Sequence, residues 1–155
     1  MFDNPQLREF ESSPGARAPP NSTIPVLARD NLRYLLLVDD DPLIRMMFHE
    51  FFSEFGWTVT TAATAEEALA IDPDGINPSI LITDIDLGRG MDGFEFGPKA
   101  RDRWPEIAIV YISGRPPSPD RIDGLGFAEK FVMKPVRPVW LLREIEDLAD
   151  RKQKG

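Results

Sequence analysis

The sequence predicts an α/β domain built on a doubly wound, five-stranded parallel sheet with a degenerate fourth helix. Short apolar runs of strand length alternate with stretches of helical period, the rhythm of strand–helix–strand units. Several runs are apolar at consecutive positions, as strands covered on both faces by helices must be. They end abruptly in polar residues, and in open parallel sheets ligand sites form beyond the carboxyl ends of the strands.

Tyr34-Leu35-Leu36-Leu37-Val38 is the first strand, and it runs into Asp39-Asp40-Asp41. Asp41 followed by Pro42 opens a helix, because the carboxylate can cap free N–H groups and proline at the first helical position gives up no needed donor. Leu43, Met47 and Phe51, with Ile44, Phe48, Phe52 and Phe55, repeat at helical spacing until Gly56. Trp57-Thr58-Val59-Thr60-Thr61 is β-rich, and Thr64-Ala65-Glu66-Glu67 reads as a capping box opening a short second helix. Ser79 to Asp84 is the third strand, followed by the Gly-rich loop Gly88-Arg89-Gly90-Met91-Asp92-Gly93 and a helix from about Phe94 to Arg103. Ile107 to Ile112 is the fourth strand, ending at Ser113-Gly114, and Ala128 to Met133 is the fifth, ending at Lys134-Pro135. A last amphipathic helix starts near Arg137 to Trp140, with Leu141, Ile145 and Leu148 on one face. Between Ser113 and Ala128, Pro116, Pro117, Pro119, Gly124 and Gly126 leave room for about one helical turn near Asp120 to Asp123.

Length and composition set limits on function. The chain has 155 residues, 42% hydrophobic and 28% charged, which suits one globular domain. Its 26 Asp+Glu against 18 Lys+Arg leave a net charge of −8, so it lacks the positive field that nucleic acid or an anionic membrane surface attracts. There is no cysteine, which removes disulfides, thiol nucleophiles and thiolate metal sites; the single histidine, His49, excludes a multi-histidine metal centre and reads as an exposed helical residue. With neither a bilayer-length apolar run nor a signal-peptide pattern, the expected location is the cytoplasm. Residues 1–31 hold Pro5, Pro14, Pro19, Pro20 and Pro25 among polar residues and isolated apolar ones, and they read as a disordered tail. The folded domain is expected over 32–150, with 151–155 as a C-terminal tail. Trp57, Trp104 and Trp140 and the phenylalanines of the first helix are expected in the core, with Trp140 alternatively on a partner surface.

The topology brings Asp39 and Asp40, Asp84, Ser113 and Lys134 to one edge of the sheet. Three close carboxylates repel one another unless a cation neutralises them, and an all-oxygen site with open positions suits hexacoordinate Mg²⁺, with Mn²⁺ as an alternative. Asp84 is then the candidate nucleophile. A carboxylate can attack phosphorus to give an acyl phosphate, while the metal, Lys134 and the Ser113 hydroxyl stabilise the transferring oxygens.

Leu-Val-Asp39-Asp40-Asp41, Thr-Asp84-Ile-Asp86, Met-Asp92-Gly93, Ile-Ser113-Gly114 and Lys134-Pro135, in this order, resemble the receiver domain of two-component response regulators (CheY-like, with a flavodoxin-like fold) over residues 32 to 150. The resemblance implies that Asp84 accepts a phosphoryl group from a histidine kinase or histidine phosphotransferase and that Asp39 and Asp40 bind Mg²⁺ with Asp84. It further implies that the backbone carbonyl of Asp86 completes the protein's metal ligands, that Ser113 moves toward the phosphate and that Phe131 is a switch aromatic. The Lys134-Pro135 bond is expected cis, and signalling is expected through altered binding to a downstream protein. No output domain follows the last helix, so the chain looks like a stand-alone receiver, similar to those serving HWE-type sensor kinases. Asp86 and Arg115, each two residues past a site residue, are expected to pair beside the phosphate and modulate its hydrolysis. Two other classes stay open: a small Mg²⁺-dependent aspartyl-phosphate phosphatase of the haloacid dehalogenase kind, against which chain order argues, and a phosphorylation-independent pseudo-receiver scaffold.

Overall fold

The computed structural model describes residues 33–72 and 74–154, so the expectation of a disordered tail over 1–31 lies outside the described residues. Within them, β1 (Tyr34–Val38), α1 (Pro42–Glu54), β2 (Thr58–Ala62), α2 (Ala65–Leu69), β3 (Ile80–Asp84) and α3 (Gly93–Arg103) are followed by β4 (Ala108–Ser113), α4 (Pro119–Asp123), β5 (Glu129–Met133) and α5 (Pro138–Lys154). The five strands form one sheet in the order β2-β1-β3-β4-β5. Every pairing is parallel.

Because successive side chains of a strand point to opposite faces, the apolar runs feed two cores at once. Leu35 and Leu37 of β1, with Ile80, Ile82, Val110 and Ile112, pack against Phe48 and Phe52 of α1 and Leu141 and Ile145 of α5. Leu36 and Val38, with Leu81, Ile109 and Tyr111, pack on the other face against Ala65 and Ala68 of α2 and Phe96 and Ala100 of α3. The three central strands β1, β3 and β4 are buried almost throughout, whereas the outer strands β2 and β5 are partly exposed. Among the described residues, no helix is long and apolar enough to cross a membrane.

Several local expectations change. Trp57 and Trp104 are buried, but Trp140 is 59% exposed, with the Arg137 guanidinium over its ring, so it is no core residue. Phe55, expected on the apolar face of α1, is half-exposed because it caps the helix end, where the chain turns away through Gly56. The last helix continues to Lys154, so residues 151–154 are helical rather than a tail; the Asp147–Arg151 ion pair one turn apart, 3.1 Å, supports the extension. In the second helix, Thr64 Oγ1 accepts from Glu67 N–H as a cap should, but the Glu67 carboxylate accepts from Ala63 N–H, one residue before the cap, instead of closing a reciprocal box. The fourth helix is the single turn expected, with no buried residue.

Candidate functional site

The register explains why five polar residues meet. Val38 lies opposite Thr83, Asp84 opposite Ile112, and Ser113 opposite Met133, so β1, β3, β4 and β5 terminate together. The next residues along each strand, Asp39 and Asp40, Asp84 itself, Ser113 and Lys134, are therefore delivered to one edge. Helices cover the sheet faces, so these polar groups find water and one another only there.

Carboxylate oxygens of Asp39, Asp40 and Asp84 lie within 4.8 Å of one another. Asp39 and Asp84 are buried, whereas Asp40 is exposed. Burial pushes the Asp39 carboxyl above its ordinary value, and the charges of Asp84 and Asp40 add to this, only partly offset by the hydrogen bond from Asp41 N–H, 2.9 Å, and by Lys134. The Lys134 ammonium donates to Asp84 Oδ2 at 2.9 Å. Burial lowers the pKa of that ammonium, but the Asp84 hydrogen bond and the charges of Asp84, Asp39 and Asp40 outweigh it and raise it, so the amine stays protonated. The Lys134–Pro135 peptide is cis, as the resemblance implied. One cation thus faces three carboxylates, and the excess negative charge together with the hard oxygen donors fits a divalent cation.

On the other side of Asp84, its Oδ1 accepts from Asp86 N–H at 3.2 Å. Ser113 is buried and its Oγ accepts from Arg115 N–H at 3.1 Å. The Arg115 guanidinium bonds Asp86 Oδ1 at 3.0 Å, the pairing expected from their positions. These residues, with Ile85 and Phe94, line a hollow of about 240 Å³. Phe131 is half-buried and packs against the core on the α2–α3 side of the sheet. A larger cleft of about 560 Å³ opens beside Asp39, Asp40 and Lys134 and is walled by Met47, Pro135 and Val136. His49 is exposed on α1. Asp92 caps α3 in a reciprocal box with Glu95 and takes no part in the cluster.

Three residues of the site had no signal in the periodicity. Arg45 donates to the Asp39 backbone carbonyl at 2.7 Å, tying the first turn of α1 to the end of β1. Gly93 sits so close to β3 that a Cβ there would lie 2.5 Å from the Asp84 carbonyl oxygen and 2.8 Å from Ile85 Cα, which only glycine permits. Glu66 of α2 accepts from Met91 N–H at 2.9 Å, reaching across to the loop after β3. Each contact is made to a backbone group of a neighbouring element or loop, which side-chain patterning does not encode.

A family model described as the response regulator receiver domain matches residues 35–146. Among curated proteins, the chain is 35% identical over 122 residues to the transcriptional regulatory protein AruR of Pseudomonas aeruginosa, covering 76% of this chain and 49% of that protein. It is 32% identical over 123 residues to the response regulator Rre1 of Synechocystis, covering 77% and 52%. The chain spans about half the length of the curated relatives it matches. Among solved structures, a CheY-like response regulator receiver domain protein from Methanospirillum hungatei superposes with a TM-score of 0.70 at 29% identity, over 79% of this chain and 97% of that one. The chemotaxis protein CheY4 of Vibrio cholerae gives a TM-score of 0.64 at 28% identity, over 74% and 97%.

Proposed function

The chain belongs to the response regulator receiver domain family of two-component systems, whose members work with histidine kinases or phosphotransferases, and from that premise we propose that it accepts a phosphoryl group on Asp84. The observation that carries this reading is the ion pair of buried Asp84 with Lys134 inside a cluster of three carboxylates.

Asp84 is the nucleophile: one carboxylate oxygen bonds to phosphorus as the P–N bond of a donor phosphohistidine breaks, and the imidazole leaves with the electron pair of that bond. Mg²⁺, or Mn²⁺ in its place, would be held by Asp39, Asp40, Asp84 and the backbone carbonyl of Asp86, and it supplies charge neutralisation at the phosphoryl oxygens. Lys134 holds a phosphoryl oxygen from the β5 side, and its ammonium already sits at Asp84. The Ser113 hydroxyl, now engaged by Arg115 N–H, turns toward the phosphoryl group, and Phe131 responds to that movement. Arg115 and Asp86 close over the hollow beside Ser113 and slow the approach of water.

A macromolecular donor is supported by the rim of the larger cleft. Met47 of α1 is 44% exposed and, with Ile44, Pro135 and Val136, lines the cleft beside the acidic cluster. The output is altered binding to another protein, with the short α4 and its flanking loops as the segment that reorders. The proposal is tested by incubating the protein with acetyl phosphate. One phosphoryl group should be gained in intact mass, lost on chelation of the divalent cation and absent in Asp84→Asn. Steady release of inorganic phosphate from a range of phosphoesters without an adduct would point to a phosphatase instead.

A further inference from the structure

The loop from β3 to α3 is secured at both ends. Leu87 is buried at its entrance, and at its exit Gly93 N–H donates to Ile85 O at 2.9 Å while Asp92 and Glu95 cap each other. Between them, Gly88 and Gly90 have φ of +80° and +89°, so Arg89 sits on a tip whose two flanking residues have the widest backbone freedom of any residue type. Among the described residues, one hydrogen bond reaches the backbone of Gly88–Met91, and Glu66 supplies it by accepting from Met91 N–H at 2.9 Å. The contact is built closely: a Cβ on Gly90 would lie 2.8 Å from Glu66 Oε2. Glu66 stands in the first turn of α2 behind the Thr64 cap, with its side chain at the surface. The same loop borders the acidic cluster, since a Cβ on Gly88 would lie 3.9 Å from Asp40 Oδ2.

We propose that Glu66 is a positioning residue for the cation site: by clamping Met91 N–H it holds the glycine-rich loop against Asp40. The inference rests on the phosphoacceptor reading and adds to it a residue on a different helix. Glu66 is not one of the clustered carboxylates, which are Asp39, Asp40 and Asp84. Loss of the clamp frees a four-residue stretch that must then be ordered each time a cation binds, so the cost appears in cation affinity. The conservative change Glu66→Gln keeps an oxygen able to accept from Met91 N–H, whereas Glu66→Ala keeps none.

The test titrates the full chain with Mg²⁺ alone, with no phosphodonor, and follows amide signals by NMR. Glu66→Ala is expected to bind Mg²⁺ about fivefold more weakly, the equilibrium equivalent of one lost hydrogen bond. In the same variant the Met91 amide should exchange faster with solvent, and the Gln variant should bind within about twofold of wild type. Equal Mg²⁺ affinity in wild type and Glu66→Ala overturns the inference, even if the alanine variant melts earlier, because Glu66 would then support the fold alone. Affinity as weak in Glu66→Gln as in Glu66→Ala overturns it too. Should Glu66→Ala not fold, Glu66→Asp, which withdraws the carboxylate by one methylene, takes its place with the same expectations. A wild-type chain that binds no Mg²⁺ sinks the phosphoacceptor reading as well, which separates the two failures.

Discussion

Replacing Arg115 by alanine is expected to speed the loss of the phosphoryl group from Asp84 by about two- to sixfold. The magnitude follows from the exposure of the pair it breaks. Arg115 and Asp86 meet at 3.0 Å, but their side chains are 79% and 54% exposed, so water screens the attraction. Pairs of this kind contribute about 0.2–1 kcal/mol, which sets a closed-to-open ratio of about 1.4 to 5. If water reaches the acyl phosphate only from the open arrangement, the open fraction is about 0.42 to 0.17, and permanent opening raises hydrolysis by the inverse of that fraction. Fold stability should stay within about 0.5 kcal/mol of wild type, as for other exposed changes. The assay phosphorylates the protein with acetyl phosphate, removes the donor and follows the adduct by phosphate-affinity gel. Asp86→Ala should match Arg115→Ala, the double variant should go no faster, and wild type should drift toward both at high salt. An unchanged rate refutes the shielding argument, and an increase far above tenfold shows Arg115 acting on the phosphoryl group directly rather than through Asp86.

Other expectations follow from the same geometry. Asp84→Asn should abolish the phosphoryl adduct and weaken Mg²⁺ binding while the domain remains folded, checked by mass and circular dichroism. Gly93→Ala should destabilise the domain by about 1–3 kcal/mol in urea denaturation and slow phosphorylation, because the new Cβ must push α3 away from the backbone of Asp84 and Ile85. Burial, with the Glu129 charge adding to it, pushes the Tyr111 phenol from 10.0 up to about 12. The native state then holds a proton that the unfolded chain gives up near pH 10, so stability is intact below that pH. About 2–3 kcal/mol is lost as pH rises toward 12, and Tyr111→Phe should show a shallower decline in chemical denaturation over that span.

Much of this architecture was legible because each strand carries its own address. Tyr34–Val38 is apolar throughout and Ile80–Asp84 at its first three positions, runs that a sheet covered on both faces demands, and the polar residue at each strand end then has one place to go. Asp39, Asp40, Asp84, Ser113 and Lys134 could be placed together without a single distance. The Asp86–Arg115 pair could be anticipated from matching offsets along β3 and β4. Of the two places the sequence allows Trp140, its exposure rules out the core, because periodicity fixes which face of α5 is apolar, through Leu141, Ile145 and Leu148, but not whether a bulky residue at the first turn reaches that face. The contacts of Arg45, Gly93 and Glu66 have no signature in the pattern because each is made to a backbone atom of another element or loop. Such contacts depend on how close two elements come, which no local pattern states.

The most direct test of the central claim is the position of the phosphoryl bond. Borohydride reduction of the phosphorylated protein converts an aspartyl phosphate to homoserine, and peptide mapping then reports which residue carried it. The account predicts homoserine at position 84 and nowhere else. Conversion of Asp39 or Asp40, or an adduct that resists borohydride because it sits on a hydroxyl or on His49, would contradict it.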